Sequence, residues 1–165
     1  MTTSSEHSHS SLLVEQFAAV SREALDFIAR LSDDEWRTHC DKEGWSVGVV
    51  AHHIATGHLV IVDWVQTAAT GHELPPVTMD LFAELNAQHA QEYAHVSKAE
   101  TLEVWQQNSE RAANIVRDIS DEQMEYASPF VLLGGALVTP RRLIERILIG
   151  HVTGHMQSIH AALGA

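Results

Sequence analysis

Two histidines near the carboxyl end of the chain, His151 and His155, have the spacing of metal ligands on a helix. They lie four residues apart in the apolar stretch HVTGHMQSIHAAL, residues 151–163. On an α-helix this spacing places both imidazoles on one face, about 6 Å apart. A metal site needs further donors, and we expect the third nitrogen from the pair His52 and His53.

Helix geometry predicts which of the pair can reach the other two. His53 shares the apolar face of its predicted helix and lies about 10 Å from the start of that helix, whereas His52 points about 100° away. His155 lies about 13 Å from the end of the last helix, so its depth matches that of His53 only if the two helices are antiparallel neighbours. The sequence therefore predicts a site of His53, His151 and His155.

Four long amphipathic helices are needed to build this arrangement. Apolar residues recur at three and four positions in each of them. Their predicted bounds are about 11–31, 47–70, 98–119 and 140–163. Residues 71–97 and 120–138 form two long connectors, and the first of these contains a shorter helix. The long crossover lets the second and third long helices run parallel.

The helix ends carry the expected signals. Ser46 is a capping residue for the second helix, Ser97 and Glu100 form a capping box for the third, and Thr139 precedes Pro140 at the start of the last. No convincing strand alternation appears, and only Leu132 to Val138 is allowed as a short extended segment. The predicted fold class is an all-α four-helix bundle, with a disordered tail at residues 1–10 and one domain at 11–165.

Composition limits the classes of partner. The chain of 165 residues has 10 basic and 22 acidic residues, a formal charge of -12, which disfavours binding to nucleic acid or to an anionic membrane. No apolar run approaches the ~20 residues of a bilayer span, and MTTSSEHSHS lacks the layout of a secretory signal. We therefore expect a cytoplasmic protein. The single Cys40 has no cysteine partner and is interpreted as a bystander thiol.

The remaining histidines are expected to be structural. A lone histidine on an apolar helix face, such as His89, is most often a core residue donating to a backbone carbonyl. Burying three imidazoles together without a shared partner is costly, whereas a divalent ion takes one lone pair from each. We interpret His7 and His9 as incidental residues of the tail. The others are interpreted as residues of the surface or the connectors: His39, His58, His72, His95 and His160.

Three glycines lie inside the predicted helices beside the proposed ligands. Each costs about 1 kcal/mol relative to alanine, so something must require the missing side chains at Gly57, Gly150 and Gly154. One interpretation is open volume beside the metal for a ligand. The other is close helix contact or a Gly-x-x-x-Gly seam between two copies. Trp64 and Trp105 are interpreted as core residues rather than as a cavity lining.

Three neutral imidazoles leave a divalent ion with its full charge and an open position, which is typical of a catalytic site. Water bound there would be acidified, and a thiol would bind as thiolate. The residue after His151 is Val152, where a metalloprotease helix needs a glutamate as general base. The pattern therefore disfavours proteolysis.

The order Gly-Trp-Ser, a histidine eight residues after Trp45, and a last helix with HVTGHMQSI resembles the DinB-like superfamily, also called the DfsB or YfiT-like four-helix bundles. The resemblance covers residues 11–163 and places that family's three metal-binding histidines on His53, His151 and His155. It implies an up-down-down-up bundle, a divalent metal such as zinc or nickel, and frequent dimers. For some members it implies transfer of mycothiol, bacillithiol or glutathione. The chain also resembles the metal-binding domain of mycothiol-dependent maleylpyruvate isomerase.

Three functions follow as hypotheses. The leading one is a metal-dependent thiol-cofactor S-transferase or isomerase-like enzyme acting on a small electrophile. The second is a hydrolase that uses metal-bound hydroxide, and the third is a non-enzymatic protein that binds a metal or a small molecule. The residues predict the ligands of the metal, while the choice of reaction rests on the resemblance.

Overall fold

Six helices and two short ladders make up the protein, which we describe from a computed structural model covering residues 8–165. In chain order the helices are α1 His9–Ala29, α2 Asp33–Arg37, α3 Val47–Ala69, α4 Met79–Glu92 and α5 Lys98–Arg117, followed by a last helix. This last helix has three consecutive segments, α6 Pro140–Arg142, a π-helical segment Leu143–Leu148 and α7 Ile149–Leu163. The strands are β1 His39–Cys40, β2 Trp45–Ser46, β3 Ser128–Phe130 and β4 Ala136–Val138.

Contacts between α1, α3 and α5 give their directions. The Asn108 side chain donates to the carbonyl of Ala55 at 3.0 Å, and further along both helices Gln66 and Ile115 line one hollow, so α3 and α5 are parallel. Trp105 Nε1 donates to Ser21 Oγ at 2.8 Å. The earlier residue Lys98 donates to the carbonyl of Leu31, which lies just after the end of α1. Helices α1 and α5 are therefore antiparallel.

The last helix runs in the same direction as α1. Arg141 donates to Nδ1 of His9 near the start of both helices, and the rings of Phe27 and His160 are 4.4 Å apart near their ends. With α3 and α5 running the other way, this is the up-down-down-up order. The predicted all-α four-helix bundle, with an extra helix in the crossover, is confirmed.

Three of the predicted helix starts are capped as expected. Ser46 Oγ accepts the N–H of Val49, and Thr139 Oγ1 accepts the N–H of Arg142 with proline at the first helical position. Ser97 Oγ likewise accepts the N–H of Glu100, which is only the serine half of the predicted box. The complete capping box is found at α2, where Ser32 and Glu35 satisfy each other's backbone N–H groups.

The first helix begins earlier than predicted. Ser8 Oγ accepts the N–H of Ser11 at 3.2 Å, so the helix starts at His9 and includes two residues assigned to the tail. His9 is not incidental, because its backbone N–H donates to Asp121 and its ring accepts from Arg141. Residues 1–7 of the predicted tail, with His7, lie outside the described residues.

The prediction of a single extended segment at Leu132–Val138 is wrong. Two antiparallel ladders are present, pairing β1 with β2 and β3 with β4. Only the last three residues of the predicted segment form a strand, while Val131–Leu133 is a 3₁₀ turn closed by Gly134 and Gly135 at positive φ. Ladders of two or three residues are too short to produce a readable alternation.

Helix α3 lies at the centre of the bundle. It is long and apolar enough to cross a membrane by length and composition, so the expectation that no apolar run approaches a bilayer span is too strict. However, most of this helix is buried inside the bundle. This burial is that of the core helix of a soluble protein.

Candidate metal site

The structure brings the three predicted ligands together. His53 comes from α3 and His151 and His155 from α7, and one ligand nitrogen of each lies within 4.8 Å of the others. Nε2 of His53 and Nε2 of His151 are 3.0 Å apart. The rings of His151 and His155 have centroids 4.7 Å apart, as expected for neighbours one turn apart on a helix.

The predicted antiparallel pairing of α3 with the last helix explains this convergence. At one end of the contact His53 faces His151 and His155. One turn later on α3, Gly57 contacts His151 again, and at the other end Trp64 lines the same cavity as Arg146. Along this contact the residue numbers rise on α3 while they fall on the last helix, so the two helices are antiparallel.

The donor set fits a divalent ion. Two nitrogens bound tetrahedrally at 2.0–2.1 Å from one ion are about 3.3 Å apart, close to the 3.0 Å between His53 and His151. Burial, followed by the neighbouring imidazoles of His155, His89 and His52, lowers the pKa of His53 to about 3. Burial, then His53 and His155, also lower the pKa of His151 well below its usual value. Both rings are therefore neutral at pH 7, the form that binds metal.

Glu43 is a site residue that the sequence reasoning missed. Its Oε1 accepts the N–H of His155 Nδ1 at 2.9 Å, and its side chain is only 6% exposed. This contact leaves Nε2 of His155 free to face the other two imidazoles. A carboxylate behind a ligand histidine is a common partner that orients the ring and raises its basicity.

The turn between β1 and β2 positions this glutamate. Cys40 pairs with Trp45 across the ladder, and the N–H of Gly44 donates to the carbonyl of Cys40. Gly44 has a φ of 75°, a conformation that glycine adopts without strain. One acidic residue in a polar connector carries no signal of this role, because only the ladder brings Glu43 to α7.

Gly57 is required by close contact between helices. A Cβ at this position would lie 2.5 Å from Cε1 of His151, closer than real carbon atoms approach. The structure therefore supports the close-contact interpretation for Gly57, which also lines the cavity beside the site. A Cβ at Gly150 or Gly154 would meet nothing within 4 Å, so no neighbour within the described chain requires those two glycines.

A second pair of histidines adjoins the site. Nδ1 of His52 and Nε2 of His89 are 2.9 Å apart, and Tyr93 packs on the His52 ring with centroids 4.0 Å apart. The interpretation of His89 as a core histidine bonded to a backbone carbonyl is wrong, because it is half-buried on α4 and pairs with His52. Burial, with His89 as a smaller cause, lowers the pKa of His52 to about 4.

The assignment of His58 to the surface is also wrong. This side chain is fully buried, with its ring edge-on to Phe17 and Trp105 and its Nε2 at 3.5 Å from Ser21 Oγ. Burial lowers its pKa to about 3. Most faces of α3 are covered, so a helical stripe read from sequence does not identify all of its buried residues.

The remaining assignments of histidines and of the cysteine are mostly confirmed. His39, His72 and His95 are exposed as predicted, whereas His160 is half-buried against Phe27. Cys40 is buried, and burial, followed by the charges of Glu43 and Asp41, raises its pKa to about 11. Its thiol is therefore unreactive at neutral pH, in agreement with the interpretation as a bystander.

A cavity of about 400 Å³ opens beside His53 and His151. Most of its walls are apolar, and the polar exceptions besides the two ligands are Thr56, Asn86, His89 and Arg146. The apolar wall is formed by residues of four elements, Gly57, Val60, Ile61, Trp64, Phe82, Leu85, Leu132 and Ile147. Trp64 and Trp105 are both buried core residues, as predicted, and Trp64 in addition lines the cavity.

Comparisons with known proteins agree with this architecture. The family model described as DinB superfamily matches residues 16–159. Comparison with curated proteins gives no significant match. Among solved structures, YfiT from Bacillus subtilis is similar, with a TM-score of 0.71 and 16% identity over 99% of this chain and 94% of that chain. YfiT is described as "a probable metal-dependent hydrolase with an unusual four-helix bundle topology". At this identity the likeness establishes the fold.

Proposed function

The chain belongs to the DinB superfamily, and from this premise we propose that it is an enzyme dependent on a divalent metal held by His53, His151 and His155. The observation that carries the proposal is the convergence of three imidazoles beside an apolar cavity. Three nitrogen donors suit borderline ions, with zinc or nickel expected. When bound, such an ion supplies Lewis-acid activation of a nucleophile near neutral pH.

The protein's own residues prepare this site in three ways. Burial keeps the rings of His53 and His151 neutral, so that their lone pairs are available at pH 7. Glu43 holds His155 in the tautomer that presents Nε2 to the site. The apolar walls around Trp64 and Phe82 bind the apolar part of a substrate and limit the access of water.

We propose that the reaction is transfer of a low-molecular-weight thiol, such as mycothiol or bacillithiol, to a small electrophile, or an isomerisation that uses the same thiol. In the transfer, a carbon–sulfur bond forms at the electrophilic carbon, the thiol proton is lost to solvent, and the leaving group departs with the electron pair of its bond. Where there is no leaving group, the anion formed by the addition takes up a proton from solvent. In the isomerisation, the carbon–sulfur bond breaks again and the thiol is released. An external thiol is needed because Cys40, the one cysteine of the chain, is buried with a raised pKa. The family resemblance supports this choice of cofactor.

Hydrolysis of a small substrate is the second candidate. It is favoured by the similarity to YfiT, which is itself described as a probable metal-dependent hydrolase. The site could serve either reaction, because a thiol and a water need the same open position beside the three imidazoles. A third candidate is a non-enzymatic protein that sequesters a metal or a small molecule.

A thiol assay separates these candidates. Metal-loaded protein is incubated with mycothiol, bacillithiol or glutathione and the electrophile 1-chloro-2,4-dinitrobenzene, and adduct formation is followed by absorbance. We expect acceleration by the wild type and by a His95→Ala control, but not by His53→Ala. Absence of acceleration with all three thiols would overturn the transferase proposal.

Two further measurements test the hydrolase and the sequestering protein. Hydrolysis of p-nitrophenyl acetate without thiol, faster than with His53→Ala, would indicate the hydrolase. Elemental analysis is expected to find about one divalent ion per chain, and sub-stoichiometric metal after reloading would remove both enzyme proposals. Bound metal with neither reaction would favour the sequestering protein.

The expected partners remain proposals. We propose a small-molecule ligand or thiol, a homodimer, and no binding to nucleic acid or membrane in a cytoplasmic protein. The formal charge of -12 supports the absence of anionic partners. Sedimentation analysis at several protein concentrations tests the dimer directly.

A further inference from the structure

The charge of the cavity differs from that of the chain. The protein has 22 acidic and 10 basic residues, yet the cavity lining contains the guanidinium of Arg146 and no carboxylate. A smaller hollow of about 230 Å³ adjoins it and shares Arg146 and Ile147. This second hollow is lined by Arg142 and again by no acidic side chain. Among the described residues, these two adjoining hollows of an acidic protein thus combine arginine and apolar walls without an acidic side chain.

The guanidinium groups of Arg142 and Arg146 are available to a ligand. Arg141 forms an ion pair with Glu125, and Arg37 forms one with Asp34. Within residues 8–165, in contrast, no carboxylate oxygen lies within 4 Å of the side-chain nitrogens of Arg142 or Arg146. Arg146 is exposed to solvent at the cavity wall, so an anion reaches it without breaking an internal ion pair.

We propose that this cavity binds an apolar carboxylate, with the carboxylate on Arg146 and the apolar body against Trp64, Phe82 and Leu85. A planar guanidinium matches the two oxygens of a carboxylate. A phosphate dianion fits less well, because it needs several converging donors. Beside the imidazoles, the described lining offers Arg146 and the Asn86 amide, while the Thr56 hydroxyl already donates to the carbonyls of His52 and His53.

The cavity sets the size of the ligand. Its volume is about 400 Å³, and Arg146 lines it together with His53 and His151. A ligand whose carboxylate lies on Arg146 therefore places its apolar body beside the imidazoles. This step rests on the proposed function, since it assigns the substrate class of the same site. A benzene ring with a two- or three-carbon acid chain is small enough for a cavity of this volume.

Calorimetry with a matched pair of probes tests the proposal. 3-Phenylpropanoate and its uncharged amide, 3-phenylpropanamide, have the same apolar body and differ in charge. We expect wild-type protein to bind the acid about tenfold more tightly than the amide, as for one charge-assisted hydrogen bond. The preference is expected in metal-loaded protein and in protein stripped with a chelator and checked for helicity.

Variants assign the preference to one side chain. Arg146→Gln is expected to remove the preference for the acid while leaving the affinity for the amide unchanged, which shows that the cavity is intact. Arg146→Lys should retain part of the preference for the acid over the amide. Arg111→Gln is the matched control, because Arg111 lines a separate hollow between α3 and α5.

Three outcomes would overturn the carboxylate proposal. They are equal affinity for acid and amide, a preference that survives in Arg146→Gln, and a preference seen only in metal-loaded protein, where the ion would be the anion site. None of them affects the thiol assay, which uses an uncharged electrophile. Conversely, a protein that fails the thiol assay still shows the preference in its metal-free form if the carboxylate proposal holds.

Discussion

Four side chains define the chemistry of the site at the scale of single residues. His53, His151 and His155 present nitrogens to a common point, and Glu43 accepts a hydrogen bond from the last of them. The other oxygen of Glu43 is buried without a hydrogen-bond partner among the described residues. A buried carboxylate is costly unless it is paired. We infer that Glu43 is kept in place because it orients His155.

Replacement of Glu43 by Gln tests this positioning role. The amide keeps the size of the side chain but removes its charge, so we expect metal affinity to fall by about 10- to 100-fold. Helicity and unfolding midpoint should change little in metal-free protein. The measurement is competition with a chromogenic chelator, and Asp41→Asn, at an exposed position of the same turn, is the control. Equal affinity in Glu43→Gln and wild type would show that the hydrogen bond has no influence on the metal.

At the scale of elements, the site depends on how closely α3 approaches the last helix. Gly57 permits contact between the backbone of α3 and the ring of His151. The π-helical segment Leu143–Leu148 precedes the ligands on the last helix, and such segments insert an extra residue into a helix. The rotation of α7 relative to the start of the helix therefore differs from that of a regular α-helix.

A pair of glycine substitutions separates contact at the site from general helix stability. Gly57→Ala should displace His151, reduce metal affinity at least about tenfold and destabilise the fold by about 1–3 kcal/mol. Gly154→Ala meets no neighbour within the chain and should stabilise it by up to about 1 kcal/mol. Metal titration and urea unfolding measure both effects.

The same pair tests the interpretation of a glycine seam between two copies. If Gly154 lies in such a seam, Gly154→Ala should lower the dimer fraction in sedimentation analysis without changing metal affinity per chain. A variant that dimerises like the wild type would exclude the seam. Normal metal affinity in Gly57→Ala would contradict the role assigned to that contact.

At the scale of the whole molecule, the bundle buries several titratable rings in its core. His58 is fully buried between α1, α3 and α5, and burial lowers its pKa from 6.5 to about 3. The unfolded chain takes up a proton near pH 6.5, while the folded protein does not until about pH 3. The contribution of the neutral His58 ring to the free energy of unfolding is therefore fully present above pH 6.5 and decreases as the pH falls towards 3.

Acid denaturation measures this linkage. Each buried histidine with such a lowered pKa reduces the free energy of unfolding by up to about 1.4 kcal/mol for every unit by which the pH falls between 6.5 and 3. We expect urea unfolding of His58→Gln to depend less on pH between 7 and 4.5 than that of the wild type, by about 2–3 kcal/mol over the range. His95→Gln, at an exposed position, should keep the wild-type dependence. Parallel curves for wild type and His58→Gln would contradict the assignment of a neutral buried ring.

Local periodicity by itself determined the four long helices, the all-α class and the three histidines, but not the short helix α2. Apolar spacing and caps such as Ser46 act within a few residues, and the rise per residue converts positions into depths, which is why His53 could be matched with His155. Tertiary structure decided what depends on contacts between distant segments. It buried His58 on a face of α3 that sequence assigned to solvent, and it paired His89 with His52. It also carried Glu43 to His155 across 112 positions, a contact that no local pattern encodes.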